Sequence, residues 1–190
     1  LGINYLPFIK FIATFKREKE TKKCLERLQE NQIDCDVYIS DSNSNGNIKE
    51  VIREFPNIFF QNVGDNVYWN KGMNYSWKYA LSRKDYDYFI WLNNDTFLYP
   101  DALKTIFNDL KKVDKTSIIV GITEDEEKLT YGGRNNLSHG IVKPSGTPQK
   151  IKYMNGNFIL VPKEVFLSIG FLNDRFSHSL GALDYGLIAI

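Results

Sequence analysis

Four clusters of polar residues stand just past short apolar runs, and their chemistry suits phosphates and cations. They are Thr14-Phe15-Lys16-Arg17 after residues 7–13, Asp41-Ser42-Asn43-Ser44 after 37–40, Asn62-Val63-Gly64 after 58–61, and Asn93-Asn94-Asp95 after 88–92. Hard divalent cations take oxygen ligands, and Mg²⁺ or Mn²⁺ commonly sits on one or two protein oxygens plus phosphate oxygens. Asp95, with the Asn93 amide two positions before it, fits that arrangement. Local roles compete with it. Asp41, Asn43 and Ser44 can satisfy their own turn as Asx-type caps, and Asp95 or Thr96 can cap a following helix.

The elements that must position these residues follow from hydrophobic spacing. Runs at 7–15, 37–41, 58–62, 88–92 and 117–122 are apolar, β-branched or aromatic and read as strands, those at 7–15 and 88–92 as buried ones. Between them, Cys24, Leu25 and Leu28 mark one face of a helix over about 21–31. Ile48, Val51, Ile52 and Phe55 mark a second helix that Pro56 stops. Met73, Trp77, Ala80 and Leu81 mark a third, and Leu103, Ile106, Phe107 and Leu110 a fourth that starts near Pro100. Strand alternating with helix predicts an α/β fold with a mostly parallel sheet covered on both faces. After about Glu124 the rhythm is lost in a stretch punctuated by Gly132-Gly133, Gly140, Pro144, Gly146 and Pro148. One more strand, 158–161, and a helix between Pro162 and Gly170 follow. In such a sheet ligands bind beyond the carboxyl ends of the strands, where strand order reverses. Those ends carry the four polar clusters.

Composition removes several alternatives. The 190 residues suit one domain. Lysine plus arginine number 24 against 23 aspartates and glutamates, a net charge of +1 that excludes a general nucleic-acid binder. No run reaches the roughly 20 apolar residues of a membrane span, and no charged-then-apolar leader is evident. Leu1 at the start suggests a processed or excised piece. Cys24 and Cys35 are expected to be reduced thiols rather than a disulfide framework. The chain lacks a GxxxxGK[ST] loop, a strand-to-helix GxGxxG turn and a GxSxG elbow. His139 and His178 have no second ligand at zinc spacing, and His139, in a Gly-rich loop, reads as a surface residue.

Taken in order, the motifs resemble those of the family-two nucleotide-sugar glycosyltransferases, inverting enzymes with the GT-A fold. Thr14-Phe15-Lys16-Arg17 is similar to the family's Thr-Tyr-Asn-Arg opening, and Asp41-Ser42-Asn43-Ser44-Asn45-Gly46 to its Asp-Asn-x-Ser-x-Asp-Gly turn. Asn62-x-Gly64 with Asn70-x-Gly72 resembles the Asn-x-Gly pair. Asn93-Asn94-Asp95 resembles a variant of the Asp-x-Asp metal motif. Residues 155–161 and 170–176 are similar to a later strand and an acceptor-side loop.

The resemblance implies a single three-layer α/β/α domain, Rossmann-like, over 1–190. Residues up to about 122 would form its nucleotide-binding half and 123–190 its acceptor-side half. It implies a UDP- or dTDP-sugar donor, a saccharide or lipid-linked saccharide acceptor, and Mg²⁺ or Mn²⁺ held by Asp95 with Asn93. The nucleotide-sugar site would comprise Thr14, Phe15, Arg17, Asp41, Asn43, Ser44, Asn70, Gly72 and Asn94. Phe15 would stack on the base, Asp41 would hydrogen-bond it, and Asn70 would lie near the donor phosphates. The setting implied is bacterial surface-polysaccharide synthesis in the cytoplasm, at the inner face of the plasma membrane for a lipid-linked acceptor.

Two departures stand out. Trp69 occupies a position where relatives often carry arginine. Ala182 occupies the position of the expected general base, leaving Asp184 as the nearby carboxylate, which also reads as a helix cap or loop-ordering group. An altered residue, a weak or silent protein and an alternative base at Asp184 all remain open. Relatives usually continue past the position of Ile190, so part of the acceptor half-site is expected beyond it. A silent nucleotide-sugar-binding domain and a sugar-phosphate nucleotidyltransferase are the rival readings.

Overall fold

The computed structural model describes residues 8–43, 46–138, 140–178 and 180–189. Its first strand, β1 (Phe8–Thr14), takes the apolar run at 7–15 almost whole. Helix α1 (Glu18–Glu30) begins a turn earlier than hydrophobic spacing predicts, because Glu18 and Glu20 suit the positive end of a helix. Strand β2 (Asp36–Asp41) follows, then α2 (Ile48–Ile52). That helix is shorter than expected: the Glu54 and Phe55 amides bond to carbonyls three residues back, tightening the chain ahead of Pro56. Strand β3 (Ile58–Asn62), helix α3 (Trp69–Leu81), strand β4 (Tyr88–Leu92) and helix α4 (Ala102–Leu110) complete the regular alternation.

The second half differs more. β5 is only Ile119–Val120, because Ser117 is spent in a turn onto Asp114. The stretch expected to be loop holds a hairpin, β6 (Thr123–Asp125) and β7 (Lys128–Tyr131), turned by Glu126 and Glu127 at φ of 45° and 63°. β8 (Phe158–Pro162) leads into α5 (Lys163–Ile169), and α6 (Leu180–Ile188) ends the described chain.

The six-stranded sheet has the order β3-β2-β1-β4-β8-β5. β1 pairs in parallel with β2 and β4, and β2 with β3, whereas β8 runs antiparallel to both β4 and β5. Five strands therefore share one direction, as expected of a mostly parallel sheet, and β8 alone opposes them.

Alternating side chains build a core on each face. Ile9, Phe11, Phe89, Trp91, Ile159 and Val161 pack against Met73, Trp77 and Ala80 of α3, with Val165 of α5 and Tyr185 of α6. Ile12, Ile39, Ile90, Leu92 and Leu160 face Cys24, Leu25 and Leu28 of α1, with Leu103 and Ile106 of α4. This is a three-layer α/β/α sandwich. The chain leaves β1 toward β2 over one face and returns from β3 to β4 over the other. The order thus reverses between β1 and β4, the position at which open α/β sheets bind ligands beyond the strand tips.

Candidate functional site at the strand tips

The β1 tip turns sharply. Lys16 adopts left-handed backbone (φ 51°), which carries Phe15 out into solvent at 50% exposure, with the Lys16 Nζ 5.1 Å from its ring centre. Phe15, Lys16, Glu18, Asn43, Asp65 and Asn66 line an open cavity of about 450 Å³. Glu18, Asp65 and Asn66 were absent from the site read in the sequence, and Lys16 entered it only as part of the Thr14–Arg17 motif. The Asn62-Val63-Gly64 turn brings Asp65 and Asn66 there, with the Gly64 amide donating to Asn62 Oδ1 at 3.0 Å.

Asp41, at the β2 tip beside this cavity, is only 2% exposed, and its Oδ2 has no hydrogen-bond partner among the described residues. Burial, partly offset by the Asn43 backbone N–H and reinforced by Glu18, pushes its carboxyl up to about 6. Asn43 is nearly buried; its carbonyl accepts from the Asn62 amide at 3.0 Å and so joins the β2 and β3 tips. Ser44, like His139, lies outside the described residues.

Two residues expected to meet the nucleotide brace the site instead. Asn94 Nδ2 donates to the hydroxyls of Thr14 (3.2 Å) and Thr21 (3.1 Å), and Thr21 Oγ1 donates to the Arg17 carbonyl at 2.7 Å. Thr14 and Asn94 are at most 6% exposed. One buried amide thereby locks β1, α1 and the β4 tip together. Gly72 is likewise structural: a Cβ there would sit 3.0 Å from Ala13 Cβ, so its absence lets α3 lie close on β1.

The locked frame presents Arg17 and Asp95 across the β1–β4 reversal, where they form an ion pair. Both side chains remain about half exposed. Beside them, Asn93 Oδ1 accepts from Trp69 Nε1 at 2.7 Å. Trp69 therefore orients the amide rather than replacing an arginine's charge. Among the described residues no three histidines, cysteines or acidic groups gather around a common point. Asp95 and Asn93 supply two hard oxygens, one already shared with an indole and the other with a guanidinium. That set fits a divalent cation held chiefly by phosphate oxygens and water, and it is too sparse to hold one alone.

On the other side of α3, Asn70, expected near the donor phosphates, is fully buried. Its Nδ2 donates to the Asn173 carbonyl at 2.8 Å. Its Oδ1 lies against Gly181, where a Cβ would come within 1.8 Å. Asn74 completes this tether, donating to the Leu172 carbonyl and the Asp174 carboxylate. Ala182 is also fully buried, in the core beneath α6, so a carboxylate at this position would point into apolar surroundings. Asp184, two residues on, is partly exposed and accepts from Asn173 Nδ2 at 3.5 Å. The His178 ring packs on Tyr68 with centres 4.7 Å apart. A smaller cavity of about 170 Å³ lies on this side, lined by Arg134, Tyr153, Asn155, Leu180 and Leu183 among others.

A mixed six-stranded sheet between helical layers, with its polar edge at the β1–β4 reversal, is the GT-A fold. The sequence pattern of Glycosyl transferase family 2 matches residues 11–172, and the chain belongs to that family. No curated protein matches the sequence. Among solved structures it resembles S. aureus TarS 1–349 in complex with UDP-GlcNAc, at a TM-score of 0.68 and 10% identity, over 97% of this chain and 53% of that one. It also resembles the mannosyltransferase PcManGT from Pyrobaculum calidifontis in complex with GDP-Man and Mn²⁺, at a TM-score of 0.60 and 14% identity, over 96% of this chain and 51% of that one. At such identities the likeness is one of fold. The chain spans about half the length of these structures.

Proposed function

We propose that this domain transfers a sugar from a nucleoside-diphosphate donor to an acceptor hydroxyl, with inversion at the anomeric carbon. The observation that carries the reading is the Arg17–Asp95 pair astride the strand-order reversal, with the cavity lined by exposed Phe15 and by Asn43 at the neighbouring β1 and β2 tips, two residues past buried Asp41. Phe15 offers a face for a nucleobase. Asp41 offers a base N–H an acceptor that has no partner among the described residues, which would repay part of the cost of burying it. Arg17 is placed to turn its guanidinium toward a diphosphate. Asp95 and Asn93 would hold Mg²⁺ or Mn²⁺, which supplies charge neutralisation to a departing diphosphate. Asp184 is the carboxylate we assign as general base toward the acceptor. Following the family resemblance, we place the reaction in bacterial surface-polysaccharide synthesis, with a saccharide or lipid-linked saccharide as acceptor at the inner face of the plasma membrane.

Calorimetric titration with UDP- and dTDP-sugars plus Mn²⁺ tests the donor site. Micromolar-to-millimolar binding is expected (~4–8 kcal/mol), and Asp95→Ala should remove its Mn²⁺ dependence. Absence of binding to every nucleotide sugar would refute the proposal.

The buried Ala182 favours a second reading, a domain that binds the donor without turning it over. Nucleoside diphosphate release, measured for the protein and for Asp184→Asn, separates the two. Donor binding with no release in either protein selects the silent domain.

A further inference from the structure

Lys10 is an exception within the sheet core. It lies at the middle of β1 on the face of Phe8 and Ile12, and it is completely buried, beneath α1. No described carboxylate forms an ion pair with it. Its Nζ instead lies 2.9 Å from the Sγ of Cys35 and 5.1 Å from the centre of the Phe8 ring. That separation is ordinary for nitrogen and oxygen but close for the larger sulfur atom. Cys35 stands in the α1–β2 connection and is partly exposed as a residue, whereas the amine it touches is fully buried. Burial also draws the lysine toward its neutral form, against smaller opposing effects of Cys35 and Cys24, and a neutral amine has a nucleophilic lone pair.

We propose that Lys10 and Cys35 form an oxidative modification site, in which a peroxide converts the touching amine and thiol into a direct sulfur–nitrogen (sulfenamide) bridge. The Cys35 sulfur attacks one peroxide oxygen; the O–O bond breaks, giving a sulfenic acid and one water. The Nζ lone pair then attacks that sulfur, the S–O bond breaks, and the departing hydroxide takes a proton from the nitrogen as a second water. The sulfur loses two electrons, the peroxide gains them, and the protein loses two hydrogen atoms. A thiol reductant returns both side chains. The bridge ties the middle of β1 to the entry of β2, at the end of the sheet away from the strand-tip cleft. It is therefore expected to change stability without entering the nucleotide site.

The test is intact-mass and peptide analysis of the folded protein after dilute hydrogen peroxide. A Cys24–Cys35 disulfide would also remove two hydrogens, so the measurement is made in Cys24→Ala, where Cys35 is the only cysteine. The expected product is lighter by two hydrogens, resists tryptic cleavage after Lys10, reverts with dithiothreitol and unfolds at a higher temperature. Lys10→Met, which puts an apolar side chain of similar length in an apolar site, should fold and yield oxygen adducts on Cys35 instead. The proposal is overturned if Cys24→Ala gains oxygen without a bridge. It is equally overturned if Lys10→Met combined with Cys24→Ala still loses two hydrogens, which would assign the nitrogen to another residue.

Discussion

Asp41 shows how one carboxylate couples the edge of the sheet to pH. Its carboxyl is raised from 3.8 to about 6 in the folded protein, mainly by burial, so the native state holds this proton more tightly than the unfolded chain does. The resulting stabilisation is complete below about pH 4 and disappears as pH rises through about 6. Thermal melts from pH 4 to 7.5 should show a decline that Asp41→Asn flattens. On the proposed function, a base N–H donating to Asp41 favours the charged carboxylate. Donor binding near pH 6 should then release a proton, seen as a heat that changes with the ionisation enthalpy of the buffer. Trp69 offers a second test at this scale. Trp69→Phe removes the 2.7 Å donor to Asn93 and frees the amide to rotate. Donor affinity measured with Mn²⁺ should fall several-fold, by roughly 1 kcal/mol, the worth of one positioning hydrogen bond, with little change in melting temperature.

At the scale of elements, two glycines of α6 should respond oppositely to the same substitution. Alanine generally favours a helix over glycine by about 1 kcal/mol. At Gly181 the new Cβ would fall 1.8 Å from Asn70 Oδ1, and Asn70 is buried and tied to Asn173. Gly181→Ala should therefore cost about 1–3 kcal/mol in denaturant unfolding as that tether breaks. At Gly186 the nearest atoms belong to Met154, a flexible side chain able to yield. Gly186→Ala should be neutral or stabilising. The same helix shows why some elements escaped sequence reading. Glycines at 181 and 186 and apolar residues on several sides blur its periodicity, and the Glu126-Glu127 turn lacks the Asn-Gly pair that usually announces a hairpin. β1, β2, β3, β4 and the first four helices were readable because each carries its apolar residues at strand or helix spacing. The direction of β8 was not, since an apolar run looks the same from either end. Thr14 and Asn94 matched a family motif, but only packing reveals that their polar atoms are spent on each other and on Thr21.

Across the whole molecule, two cores on opposite faces of one sheet hold the strand tips as a rigid rim, whereas Phe15, Arg17 and Asp95 stand out from it. On the proposed function, ligand binding should then stabilise the fold by mass action with little rearrangement of the sheet. A nucleoside diphosphate with Mn²⁺ at about 100 times its dissociation constant should add roughly 2.7 kcal/mol. Melting temperature read by calorimetry, with and without Mn²⁺, checks this, and Asp95→Ala should lose the metal-dependent part.

Because β8 runs against its neighbours, the excursion between Val120 and Phe158 departs from and rejoins the sheet at one end. Evolution could lengthen, shorten or rewrite that span without touching the register of any parallel pair. On the proposed function, a chimera carrying a relative's version of residues 123–152 should keep its melting transition and its nucleotide-sugar affinity, while acquiring the acceptor preference of that relative.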